Sequence, residues 1–432
     1  MTSKRRPVLM TDLAAAGTLA AVRSLGGAGI PVTVVDFGLL KATRWSRFAT
    51  EYWACPSVAG RVASFEALKR WAERSNGHVL FATSDETAWL YARYADEIKK
   101  TILVYTPSLE TVETILDKER LWFACLSVNI PTLPTWFPRD ESEAKALAPD
   151  LPYPLLIKPR THVFRDRRDK GSVVDSHQAL QGAYAGFLHR ERGKASFEDS
   201  SQKPPLLQQF VVEAVENVIS VSGFIDRSGT RSVIRASRKI LQRSRPVGIG
   251  LAFEAIDVDP ALAEAAIALC KRVGYFGVFE MEFVAFDGIW RLIDFNPRFF
   301  HQMGLDIQSG APLPLFAYFD ACGELACLDQ AIATCAEMSR TELGFSDTFT
   351  VPLTVALRSL VDRATPRDLA AWYWSKRGRL VDATFDWRDP LPALVHAMSE
   401  LRLGFAALPR VAQESKNLRR LIAFGAPLGR MA

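Results

Sequence analysis

The sequence predicts a protein that is α/β at its start and α+β in its centre, with a small C-terminal extension. Three observations predict it. Residues 8–36 read strand, helix, strand; residues 274–298 (GYFGVFEMEFVAFDGIWRLIDFNPR) read as a long hairpin; and from about residue 336 the sequence changes character. A strand–helix–strand opening is the first unit of a doubly wound parallel sheet. A hairpin with one uniformly apolar face belongs to a sheet packed on that side.

The elements follow in order. An apolar strand at 8–10 precedes helix formers over 13–25, and Gly26, Gly27 and Gly29 end that helix before a second strand closing on Asp36. Gly17 stands alone, and without a GxGxxG fingerprint a nicotinamide-dependent dehydrogenase is a poor reading. Residues 78–86 (HVLFATSDE) run from a buried strand into a polar loop. Thr83, Ser84, Asp85 and Glu86 there suit either a helix N-terminus or a ligand at the end of a parallel strand. Thr106, Pro107 and Ser108 open a helix read as continuing through Asp117 and Lys118. Residues 153–160 (YPLLIKPR) form an apolar strand that carries Lys158 into a buried setting, where an ammonium needs an anionic partner.

The charged stretch 162–170 (HVFRDRRDK) reads as a basic lid or a solvated loop, and 195–205 as an exposed connection. Residues 206–211 (LLQQFV) and 219–225 read as strands. Basic side chains concentrate over 235–250, among them Lys239, Arg243 and Arg245, in an exposed loop or against an anionic ligand. Residues 260–273 have the pattern of an amphipathic helix delivering the chain into the hairpin. Residues 349–357 alternate like a strand that Pro352 confines to a sheet edge. Trp372, Trp374 and Trp387 lie among charged residues, in what reads as an appended subdomain. The basic, apolar stretch 419–424 (RRLIAF) suits a docked C-terminal helix or a membrane or partner surface.

The hairpin carries the chemistry. Phe279, Met281 and Phe283 share one face of its first strand, and Val278, Glu280, Glu282 and Val284 the other. In the second strand Asp294 and Asn296 share a face opposite to Ile293 and Phe295. A two-residue turn at Asp287-Gly288 would pair Glu282 with Ile293 and send Asp294 to the wrong side. A three-residue loop, Asp287-Gly288-Ile289, with Gly288 left-handed, sets Glu282 opposite Asp294 and Glu280 opposite Asn296, and is the expectation. Three carboxylates and an amide then repel one another unless a cation lies among them. Oxygen-only donors select a hard divalent ion, Mg²⁺ with Mn²⁺ as the alternative, and Mg²⁺ usually arrives with phosphates. The plain alternative is a solvated acidic face.

Glu282, followed after the hairpin by Asp294-Phe295-Asn296-Pro297-Arg298, resembles the metal and phosphate motif of the ATP-grasp superfamily. The resemblance extends over about residues 8–318. It implies an ATP-grasp fold with an N-terminal doubly wound (pre-ATP-grasp) domain over 1–106, a small lobe over 107–202, a large lobe over 203–335 and an extension over 336–432. It implies metal ligands at Glu282, Asp294 and Asn296, although many members carry Glu where this chain has Asp294. Lys118 and Lys158 match the phosphate-binding lysines. The backbone of Gln209, Phe210 and Val211 matches the adenine hinge, and Glu216, with Glu213 competing, the acid on the ribose. Lys239 is a further phosphate contact. Lys158 and Arg298 are the implied catalytic groups, Arg298 steadying the transferring phosphoryl group. Residues 299–310, with His301, would line the substrate pocket. The glycine-rich phosphate loop of many relatives is replaced here by the charged stretch 162–170.

The cofactors implied are ATP and Mg²⁺. The group most resembled is the carboxylate–amine ligases, similar to D-aspartate ligase and the ATP-binding part of carbamoyl phosphate synthetase. There a carboxylate takes the γ-phosphoryl group as an acyl phosphate, and an amine then displaces phosphate to give an amide or peptide bond, with ADP. The partners implied are thus a small-molecule carboxylate and an amine, with a homo-oligomer left open. The alternatives are a bicarbonate-using carbamoyl-phosphate or carboxylase-type enzyme, and a nucleotide-binding regulatory protein without turnover.

Composition agrees with these classes and excludes others. A net charge of +5 over 432 residues, without a dense Lys/Arg stripe, argues against nucleic acid. Six cysteines with no CxxC pair suggest reduced thiols. Asp12 interrupts the apolar stretch after Lys4, Arg5 and Arg6, so a signal peptide is not expected, and no stretch has the apolar length of a membrane span. The expected location is cytoplasmic.

Overall fold

The computed structural model describes residues 5–11, 16–36, 39–55, 61–74, 77–164, 171–191, 203–211, 217–243, 249–337, 341–352, 355 and 366–403. Short runs rich in β-branched residues build the first of three sheets: Val8–Thr11 (β1), Val32–Asp36 (β2), Glu51–Ala54 (β3), Val79–Phe81 (β4) and Leu103–Tyr105 (β5). They pair in parallel in the order β3-β2-β1-β4-β5. β1, β2 and β4 are buried nearly throughout, which is why they read as unbroken apolar runs. Strand order reverses between β1 and β4, so the crevice of this doubly wound unit opens beyond their C-terminal ends.

The second sheet is antiparallel. Thr135–Trp136 (β6), Leu155–Lys158 (β7), Ser172–Val174 (β8) and Leu206–Gln209 (β9) run in the order β6-β9-β7-β8. Leu155, Ile157 and Leu207 pack on Leu180, Tyr184 and Phe187 of the helix His177–Glu191. β9 lies between β6 and β7, so residues 206–209 pair within this four-stranded sheet.

The third sheet holds the hairpin. Val218–Ile225 (β10), Ser232–Arg243 (β11), Ile249–Ile256 (β12), Gly277–Phe286 (β13), Ile289–Asn296 (β14), Gly344–Ser346 (β15) and Leu380–Asp382 (β16) run in the order β14-β13-β10-β11-β12-β15-β16. The basic stretch 235–250, read as an exposed loop or as facing an anionic ligand, is strand over its described residues, in β11 up to Arg243 and in β12 from Ile249. The extension is not simply appended: β15 pairs with β12 and so covers an edge that would otherwise present unpaired backbone groups. The strand expected over 349–357 is instead helical at residues 350–352. Asp347 decides this by capping, its side chain accepting from the Thr350 N–H at 2.9 Å, and Pro352 is tolerated in a first helical turn.

Two packing layers hold the hairpin in place. Phe279, Met281 and Phe283, all fully buried, pack with Phe295 on Leu262, Ala266 and Leu269 of the helix Pro260–Val273. Each such burial is worth about 1.5–3 kcal/mol. The helix starts on Asp259, whose carboxylate accepts from the Ala261 N–H with Pro260 behind it, and stops at left-handed Gly274. A second core joins the N-terminal sheet to the segment after the hairpin: Val8, Met10, Val32 and Phe81 pack with Phe299, Phe300, Met303 and Phe316.

Candidate active site

The hairpin brings Glu282 opposite Asp294 and Glu280 opposite Asn296, as expected, but by another route. Phe286 pairs with Ile289, so the turn has two residues, Asp287 and Gly288, both at positive φ (51° and 70°). That is the primed turn matching strand twist. The phase is restored by a bulge: Phe283 pairs with Leu292 and Glu282 with Asp294, leaving Ile293 extra. The segment before β6 pins the bulge, the Leu292 N–H donating to the Pro131 carbonyl at 2.9 Å and Arg291 to the Thr132 carbonyl at 3.1 Å.

Lysines from separate elements meet both carboxylates. Lys118 Nζ lies 2.8 Å from Asp294 Oδ1, and Lys239 Nζ, from β11, lies 2.7 Å from Glu282 Oε1. Asp294 is surrounded by protein yet keeps 34% of its side chain open. Burial alone would raise its pKa; Lys118, His162 and Lys158 outweigh that and hold it well below the usual carboxylate range.

Lys118 is aimed by a helix break the sequence did not suggest. The single helix expected through Asp117 and Lys118 is two helices, Leu109–Leu116 and Lys118–Ser127. Asp117 ends the first and caps the second, accepting from the Glu119 and Arg120 N–H groups. Lys203 Nζ lies 3.1 Å from its other oxygen, and the Arg160 guanidinium is beside it.

Lys158 is buried at the end of β7, where it donates to Gln208 Oε1 at 3.0 Å; Gln208 in turn donates to Thr135. Glu280 is buried too. It accepts from Ser220 at 2.7 Å, from Asn296 at 3.1 Å and from Gln302. Burial and the neighbouring Glu282 push its pKa up. Arg298 donates from Nε to Asp85 Oδ1 at 2.6 Å and from its terminal nitrogens to Asn296 Oδ1 and the Phe299 carbonyl. Burial disfavours its charge, but Asp85, Glu280 and Glu86 hold it firmly cationic.

Of the expected residues, Lys118, Lys158, Lys239, Glu282, Asp294, Asn296 and Arg298 form one constellation. Asn296 commits its amide to Glu280 and Arg298, while Glu282 and Asp294 each meet a lysine through one carboxylate oxygen. Among the described residues no three His, Cys, Asp or Glu side chains form a metal-ligating group. A cross-strand carboxylate pair balanced by two lysines nevertheless suits a hard divalent ion that arrives with a polyanion able to draw those lysines away. In the segment expected as the hinge, the Gln209 and Phe210 N–H groups donate to the Pro134 and Pro154 carbonyls, each at 2.9 Å. Glu213, Glu216, Arg245 and most of the stretch 162–170 lie outside the described residues.

Two members escaped the sequence, Gln208 and Gln302, because neutral amides leave no charge pattern. Asp85 lay in the stretch read either as a helix N-terminus or as a ligand contact. Ser84 is indeed the cap of the helix Asp85–Arg93, while Asp85 turns to Arg298.

A doubly wound domain followed by two sheets, with this hairpin in the larger, is the ATP-grasp fold. Solved structures bear it out. The biotin carboxylase domain of Hydrogenobacter thermophilus 2-oxoglutarate carboxylase, in complex with MgADP, ADP and bicarbonate, matches at TM-score 0.60 and 17% identity over 74% of this chain and 70% of that one. Biotin carboxylase from Campylobacter jejuni, in a β-γ-ATP complex, matches at 0.59 and 17% over 74% and 72%. N5-carboxyaminoimidazole synthetase from Staphylococcus aureus matches at 0.55 and 11% over 74% and 78%. No protein-family model matches the sequence, and no curated protein matches it.

Proposed function

We propose that this protein is an ATP-dependent ligase that activates a carboxylate as an acyl phosphate and transfers it to an amine, giving an amide or peptide bond, ADP and phosphate. The observation that carries the reading is the charge arrangement on one hairpin face. Glu282 and Asp294 are paired across strands and balanced by Lys239 and Lys118, with Arg298 fixed at the end of β14.

Lys118 and Lys158 would bind the phosphates, and Glu282 and Asp294 would hold Mg²⁺. The chemistry Mg²⁺ would supply at these carboxylates is neutralisation of the charge that develops on phosphoryl transfer. Phosphoryl transfer to a carboxylate needs positioning and electrostatics more than covalent help from the protein. Arg298 supplies a fixed cation for the transferring group and for the oxyanion that forms when the amine attacks. Lys158, held in place by Gln208, keeps a second cation on the small-lobe side.

A second reading has its own support: the H. thermophilus domain was solved in complex with bicarbonate as well as MgADP and ADP. In that reading bicarbonate takes the place of the organic carboxylate and the same residues act. The test is ADP release with a panel of carboxylates, each with and without amines, and with bicarbonate, using Asp294→Asn as the control. ADP that requires both an acid and an amine supports the ligase. ADP that requires bicarbonate moves the assignment to the second reading. Nucleotide binding without ADP release from any pair leaves a regulatory protein.

A further inference from the structure

Arg298 is held from outside its own lobe. Its Nε donates to Asp85 Oδ1 at 2.6 Å, a short charge-assisted bond, across 213 residues of sequence. Asp85 is itself firmly set. It is the first residue of its helix, directly behind a closed capping box in which Ser84 and Thr87 satisfy each other's backbone N–H groups. The backbone beside Arg298 is fastened to the same N-terminal domain at two further points. The Phe299 N–H donates to the Ala82 carbonyl at 3.4 Å, and the Phe299 ring lies 5.6 Å from that of Phe81. Gly17 packs so closely on the Phe300 carbonyl that a Cβ there would stand 2.1 Å from the oxygen.

Asp85, Asn296 and the Phe299 carbonyl engage one N–H on each of the three guanidinium nitrogens. An arginine has five, so each terminal nitrogen retains one N–H with which to meet an oxyanion. We propose that Asp85 is a positioning residue for Arg298, through which the N-terminal domain takes part in phosphoryl transfer. The inference rests on the ligase reading above. Its logic is that a long side chain with many rotamers gains catalytic value when its orientation is set before the charge develops. A carboxylate beside a cation also weakens that cation's general pull on anions. Asp85 therefore trades ground-state attraction for orientation.

That trade separates positioning from a mere tether between domains. The test is isothermal titration of the full chain with MgADP alone and with MgADP plus aluminium fluoride, a planar mimic of the transferring phosphoryl group. Wild type, Asp85→Asn and Asp85→Glu are compared; Ser84 remains as the cap in both variants. Wild type should bind the aluminium fluoride complex more tightly than MgADP. Asp85→Asn should lose about ten- to a hundredfold of that preference, with MgADP alone bound as well as by wild type or better. Asp85→Glu, which keeps the charge at a longer reach, should recover part of it. A wild-type preference in Asp85→Asn overturns the proposal, as does an equal loss for both ligands. If wild type binds MgADP but shows no preference for the complex, positioning of Arg298 is overturned while the nucleotide site stands. If wild type binds neither, the ligase reading fails and this inference fails with it.

Discussion

Replacing Glu282 with Ala should have two separable effects. In the empty protein it strands Lys239, whose side chain is 6% exposed and lies 2.7 Å from the carboxylate. Breaking a buried pair from one side costs about 3–5 kcal/mol. Because Glu282 is itself 22% exposed, the pair is already partly hydrated, and about 2–3 kcal/mol is the expected loss. Removing both charges, in Lys239→Met with Glu282→Leu, should recover most of it, since no ammonium is then left buried; the double-mutant cycle should show coupling of about 2 kcal/mol. The second effect concerns ligand. At a Mg-ATP concentration about a hundredfold above Kd, wild type gains about 2.7 kcal/mol by mass action. A variant binding about a hundredfold more weakly gains only about 0.4 kcal/mol under the same conditions. The assay is thermal unfolding with ATP alone, Mg²⁺ alone and both, read as midpoint shifts because a chain of several domains need not unfold in one step. Equal Mg-ATP stabilisation of Glu282→Ala and wild type would refute the role of Glu282. No stabilisation of wild type under any condition would end the ATP reading altogether.

Asp117→Ala removes both the cap of the helix Lys118–Ser127 and the carboxylate facing Lys203 and Arg160; a loss of about 3 kcal/mol in urea unfolding is expected, with weaker nucleotide binding as Lys118 loses its aim. Gly17→Ala forces a methyl into the Phe300 carbonyl and should cost about 1–3 kcal/mol; unchanged stability would show that this contact can open freely. Burial, more than the nearby Glu280, raises the Asp306 pKa to about 7, although its hydrogen bond with Ser222 and the charge of Arg235 oppose the shift. The folded protein then holds a proton that the unfolded chain releases near the ordinary aspartate value of 3.8. This contribution is full below about pH 4, declines as pH rises toward 7 and is lost above it, about 4 kcal/mol at most. Asp306→Asn should flatten that part of the stability–pH profile and raise stability above pH 7; an unchanged slope would show that Asp306 does not carry it.

Much of this was legible in the amino-acid order, where neighbours along the chain decide the outcome. Alternation put Phe279, Met281 and Phe283 on the buried face. The amphipathic pattern over 260–273 marked the helix Pro260–Val273. The βαβ opening and the acidic hairpin face are likewise patterns of period and punctuation, each set within a few residues. Their physical basis is local sterics and the two faces of a strand.

Tertiary structure decided the rest. No local preference reveals the bulge at Ile293, because it depends on residues 131–132 lying beside Leu292. The helix break at Asp117 follows from a carboxylate that both caps a helix and meets Lys203 and Arg160. β15 and β16 joined the larger sheet because β12 offered an edge to cover. The constellation itself pairs Lys118 with Asp294 across 176 residues and Asp85 with Arg298 across 213. A charge in sequence states only that it needs a partner or water. Which partner it finds is decided when separately folded elements pack and exclude the water.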